Sequence, residues 1–141
     1  MTRVRQIALI VIAASTGLVG IWATAAPKSF YEDFPGMGRV WVAVDGPYNE
    51  HLVRDVGSLN LALAFVAVLA LTTGSVLLGR AAGGAALIYG VPHLLYHASH
   101  LDAYDSDDKV AMIFSLSVAV LAALLALAPD RRATAHPPAD A

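Results

Sequence analysis

Four apolar runs, at 7–26, 59–78, 81–100 and 110–128, constrain this chain more than any other feature. Each is about the ~20 residues a helix needs to cross a ~30 Å hydrocarbon core. In lipid the backbone must satisfy its own hydrogen bonds, and single runs of this length do so as helices. The 141 residues allow one domain. Composition agrees: 57% of residues are hydrophobic and 14% charged, where a soluble domain carries about a quarter charged, and mean hydropathy is +0.63. The expected fold class is all-α, an integral membrane four-helix bundle. Its helices are expected at about 7–26, 49–78, 81–101 and 109–128, with an outer loop between the first two. Residues 129–141, polar and rich in Pro and Ala, are expected to form a disordered cytoplasmic tail.

Charge placement orients the bundle. With both termini in the cytoplasm, Arg3, Arg5, Arg80, Arg131 and Arg132 lie inside, and Lys28, Arg39, Arg54 and Lys109 lie outside among most of the carboxylates. The positive-inside rule counts Lys and Arg, and its strongest local cues are Arg3 and Arg5 before the first run and Arg131–Arg132 after the fourth. The expected location is therefore the cell membrane, multi-pass. The N-terminus also fits a secretory signal, with Ala-Thr-Ala before Pro27, but its apolar run exceeds the usual ~7–15 residues, which favours a retained helix. The absence of cysteine excludes disulfides, thiolate nucleophiles and thiolate metal sites. The net charge of −2 gives no reason to expect a nucleic-acid partner. The lipid bilayer is the expected partner, with further membrane subunits or a second copy of the chain as candidates.

Local signals fill in the connections. Asn49 is a good N-cap with Glu50 in the first turn, where the helix dipole favours an acid. The second helix should then run ~45 Å from 49 to 78, and its first two turns should project outside. Glu50 and Arg54, one turn apart, should pair at the surface. Gly79-Arg80 is the expected inner hairpin. Gly83, Gly84 and Gly90 should allow close packing of the third helix. The segment 27–48 holds Phe30, Tyr31, Phe34, Trp41 and Tyr48, which fit either an aromatic belt at the headgroups or a lid over the outer mouth. Asp105, Asp107 and Asp108 are expected in a solvated loop near the start of the last helix.

The chemistry concentrates in VPHLLYHASHLD, residues 91–102. His93, His97 and His100 are spaced to share one helix face. Polar groups this deep usually face the bundle interior, so the face should point toward the second helix, where Asn60 lies between the levels of His97 and His100. Further out, His51, Asp55 and Ser58 form a second stripe. Pro92 should kink the third helix beside His93 and free a carbonyl. Imidazoles at i and i+3 or i+4 converge on a transition metal. The expected ligands are His97 and His100, with His93 nearby and Asp55, Asp102 or His51 completing the set; copper or zinc is the expected ion, held for sensing, storage or transfer. The competing reading makes the histidines structural, in an accessory subunit of a larger membrane complex. Haem is less expected, because His93 and His97 have no histidine at their level on another helix. A quinone or a pH-sensitive carrier role stays open. No independent base or nucleophile marks an enzyme.

The strings FYEDFPGMGRVWV, GPYNEHLVRDVGSLNLALA and VPHLLYHASHLD resemble a group of small, uncharacterised membrane proteins of actinobacteria. The resemblance covers roughly residues 29–102. It implies a four-helix membrane protein and no particular chemistry. The HxxxHxxH spacing is also similar to that of membrane di-iron desaturases. Those carry several histidine boxes facing the cytoplasm, and this chain, with five histidines, does not fit them.

Overall fold

A computed structural model describes residues 1–129. The expected tail, with Asp130, Arg131, Arg132 and His136, lies outside the described residues. Helix α1 (Arg3–Ala25) starts at Thr2, whose Oγ1 accepts from the Arg5 N–H at 3.3 Å. It stops before Pro27, whose ring disfavours helical backbone at Ala26. Pro27 then opens a short second helix, α2 (Pro27–Asp33), in the first-turn position where a missing N–H costs nothing. A small antiparallel hairpin follows, β1 (Pro35–Gly36) and β2 (Arg39–Val40), closed by Met37 and Gly38 at φ +59° and +77°. Positive φ at both central residues is the turn whose twist matches a hairpin. The expected outer loop therefore contains a short helix and a hairpin of its own.

Helix α3 (Glu50–Thr73) is capped as its sequence foretells, with Asn49 Oδ1 accepting from the Leu52 N–H at 3.1 Å. Its end is earlier than expected. Gly74 takes the left-handed conformation at φ +65°, and Ser75 caps the next helix by accepting from the Leu78 N–H at 3.3 Å. A left-handed Gly followed by a Ser cap is a complete stop and start. The turn thus falls at Gly74-Ser75, and Gly79-Arg80 lies within α4 (Val76–Ser99), which runs on through Pro92. The expected 49–78 helix is 24 residues long instead, about 36 Å. Helix α5 (Ser106–Leu127) begins with Asp105 accepting from the Asp108 N–H at 2.9 Å.

The described chain is all-helical apart from the hairpin, with five helices. Three of them, α1, α3 and α5, are long and apolar enough to cross a membrane. α1 and α4 each pack against both α3 and α5. The end of this assembly near the termini is filled by small side chains, with Ala67, Ala70, Ala82, Ala123 and Ala126 buried around Leu9. Small residues let helix backbones approach closely. At Gly83 an added Cβ would come 2.9 Å from the Ala123 carbonyl oxygen, and at Gly20 it would come 2.8 Å from the Leu61 nitrogen. Arg5 is 1% exposed here: its Nε donates to the Ala126 carbonyl at 2.9 Å and Nη2 donates to the Ala128 carbonyl. A guanidinium on the last carbonyls of α5 satisfies acceptors that the helix leaves open.

The opposite end is built differently. Trp22 of α1, Phe30 of α2, Phe34 and Trp41 form a chain of ring contacts, with centroids 4.7–6.0 Å apart. Phe30 is buried with Ala23 and Val53. These aromatics lie over the helix ends as a roof.

Candidate functional site

Beneath the roof the helices do not close. They enclose a chamber of about 380 Å³ to which α1 to α5 and the segment after β2 all contribute side chains. Ile12, Val53, Val56, Leu63 and Leu116 make its walls largely apolar, and Phe30, Phe34 and Trp41 its roof. Small side chains at this level, Ala86, Gly90 and Ala119, leave the space that alanines fill by contact at the other end.

α4 supplies the polar wall. His93 and His97 share a face, as their spacing requires, and their rings meet edge to face at 4.8 Å. Tyr89 stacks on His93 at 5.3 Å, and Tyr96 abuts His97 at 5.5 Å. His97 is 9% exposed, and its Nδ1 has no hydrogen-bond partner. Asn60 of α3, buried, uses its Nδ2 on the Val56 carbonyl at 2.9 Å and reaches the Tyr89 hydroxyl at 3.4 Å. The hydroxyl protons of Ser15, Thr16 and Ser115 go to carbonyls of their own helices, a common way of satisfying such groups in apolar surroundings.

Asp45 is exposed yet lines the chamber, which puts its carboxylate at the mouth. It lies close enough to act electrostatically on both His93 and His97. Tyr104, 6% exposed, holds it there: its hydroxyl is 2.9 Å from the Trp41 carbonyl and 3.0 Å from Asp45 Oδ1, and shares one proton between them. Burial, and next the Asp45 hydrogen bond, push the Tyr104 phenol well above its ordinary range. Asp108, expected in solvent, instead accepts from Trp41 Nε1 at 2.9 Å and pairs with Arg39. Together these contacts pin the hairpin and roof to the start of α5.

The other residues singled out by sequence lie elsewhere. α4 ends at Ser99, and His100 takes non-helical backbone at φ −129° and ψ 45°, so its spacing no longer keeps it on the histidine face. It is exposed, stacked on Tyr96 at 4.3 Å, with Nδ1 near the Tyr96 carbonyl. His51 Nε2 and Asp55 Oδ2, 3.5 Å apart, form an exposed pair one turn apart on α3. Arg54 pairs with Glu50 at 2.9 Å as expected, and also donates to the Thr24 carbonyl at the end of α1. Asp102 is exposed in the turn after α4. Among the described residues no group of three or more His, Asp or Glu is arranged to hold a metal ion. The expected set of His97 and His100 with His93 nearby, completed by Asp55, Asp102 or His51, is therefore not gathered at one point.

Asp45 and Tyr104 are the site residues that the sequence did not mark. Asp45 reads as one acid among several before the Gly46-Pro47 turn, and Tyr104 as part of an acidic loop. No family model matches the chain, and no curated protein or solved structure matches it.

Proposed function

We propose that this protein is a multi-pass membrane protein, a four-helix bundle of α1, α3, α4 and α5 with both termini in the cytoplasm, that binds a small amphipathic molecule in its outer chamber. The membrane reading is supported by three spans of suitable length and by large apolar side chains pointing outward on every long helix, among them Ile21, Phe65, Ile88 and Phe114. Apolar exposure on this scale is foreign to soluble monomers and ordinary against lipid. Ile88, on α4, is 80% exposed, which argues that α4 spans as well despite its histidines.

One observation carries the binding reading: a roofed, mostly apolar chamber with a few convergent polar groups at one end. This is the common make-up of small-molecule sites, and about 380 Å³ lies within their usual ~300–1,000 Å³. An apolar body would fill the space between Ile12, Val56 and Leu63, and a polar head would meet His93, His97 and Asp45. A second reading keeps the histidines for copper or zinc, favoured by the adjacency of His93 and His97 near the Asp45 carboxylate.

Organic extraction and elemental analysis of the purified protein separate the two. Wild-type protein should release a near-stoichiometric organic molecule. An Ala86→Phe variant, which fills the chamber, should release roughly tenfold less while still melting cooperatively, since overpacking costs only ~1–3 kcal/mol. Stoichiometric copper or zinc without any organic molecule would hand the site to the metal reading.

A further inference from the structure

The charges around the chamber narrow its ligand, given that the chamber reading of the preceding section holds. Among the described residues, histidines aside, Asp45 is the one lining residue that carries a formal charge, and no Lys or Arg lines the chamber. An anionic head group would find no counter-charge there and would meet a carboxylate at the mouth. A neutral head group would gain nothing from the charge of that carboxylate. The hydroxyl protons of Ser15, Thr16 and Ser115 are committed within their helices, and the Nδ1 of the buried His97 is without a partner. The roof adds a third feature. Phe34 contacts Phe30 at 4.7 Å and Trp41 at 6.0 Å between centroids, so three aromatic rings line the same chamber as Asp45. Aromatic walls together with one carboxylate attract organic cations, because the negative ring face and the carboxylate act on a charge that is only weakly hydrated. A bare metal ion would leave most of this apolar volume empty.

We propose that the chamber binds an organic ammonium ion with an apolar body, its charge held between the Asp45 carboxylate and the Phe30–Phe34–Trp41 wall and its apolar part lodged between α1, α3 and α5.

Benzyltrimethylammonium tests this, compared with its uncharged carbon isostere neopentylbenzene and with phenylacetate. All three would be titrated against the full-length protein in a non-ionic detergent. Trp41 and Trp22, the two tryptophans of the chain, give the fluorescence readout, since Trp41 lines the chamber. The cation should bind saturably and roughly tenfold or more tighter than its isostere, about 1.4 kcal/mol, and phenylacetate should not bind. Asp45→Asn keeps an acceptor for Tyr104 and should erase most of the preference. Phe34→Leu should reduce cation binding several-fold and leave the isostere unchanged. Equal binding of cation and isostere, or a preference indifferent to Asp45→Asn, would overturn the ammonium assignment while leaving a chamber that binds. Saturation by none of the three would overturn the chamber reading itself.

Discussion

At the scale of single residues, Tyr104 has the clearest consequence. Its phenol is buried and donates to Trp41 and Asp45, so folding favours the protonated form and raises its pKa. The unfolded chain, with Tyr near the usual ~10, releases that proton first as pH rises and so binds fewer protons than the native state. Stability from this group is complete below about pH 10 and is lost progressively above it. Tyr104→Phe removes the hydrogen bonds at a cost of about 1 kcal/mol. Melting wild-type and variant protein side by side should show a gap that is constant from pH 7 to 9 and narrows above pH 10. A gap that widens there would contradict the assignment. Arg5 is a second case where one residue does more than its pattern announces. In the sequence it is a topology cue; in the fold it caps α5. The partner carbonyls lie more than a hundred residues away, and no local spacing reports such a contact.

At the scale of elements, local chemistry was legible and rotation was not. Asn49, the Glu50–Arg54 pair and the break at Pro27 sit where their types require. The inner turn moved from Gly79-Arg80 to Gly74-Ser75 because Gly79 serves packing: a Cβ there would lie 3.0 Å from Arg5 Cδ. A glycine in an apolar run can end a helix or admit a neighbour, and composition does not tell which. The histidine face shows the same limit. His93 and His97 kept their shared side, whereas His100 left it where α4 stops at Ser99. Gly83 and Gly84 give this a test. A side chain at Gly83 would run into Ala123 and Ala126 of α5, while nothing lies within 4 Å of a Cβ at Gly84. Gly83→Leu should lower the melting temperature by several degrees or abolish folding, at a cost of at least ~1–3 kcal/mol. Gly84→Leu should leave it unchanged or raise it slightly, through better helix propensity of up to ~1 kcal/mol. If Gly84→Leu changed only the oligomeric state, the accessory-subunit reading would gain a contact surface at that position.

At the scale of the whole molecule, a closed end and an open end are joined by one fastening. The alanine-packed end near the termini fixes the helices, and the chamber end depends on a roof held by few contacts. Those contacts converge on Asp108, which binds Arg39 and the Trp41 indole, and on Tyr104, which binds Trp41 and Asp45. The chamber was not legible in the sequence because its lining is scattered from Ile12 to Ala119 across five helices and the segment after the hairpin. No periodicity records how far apart such residues end up. The fastening implies that the segment 39–45 opens more readily than the helices, because its residues are exposed or half-buried and few side chains anchor it. Asp108→Asn weakens charge-assisted bonds worth ~1.5–3 kcal/mol, so local opening should become roughly tenfold or more frequent. Hydrogen exchange resolved by segment measures this. Amides of 39–45 should exchange faster in the variant, while the α1, α3 and α5 cores stay as they were. Release of bound benzyltrimethylammonium should accelerate by a similar factor, because the same opening exposes the mouth beside Asp45. Uniform acceleration along the chain would make Asp108 a general stabiliser of the fold. Faster exchange at 39–45 with an unchanged release rate would mean that the ligand leaves sideways, between helices, and that the roof is not its gate.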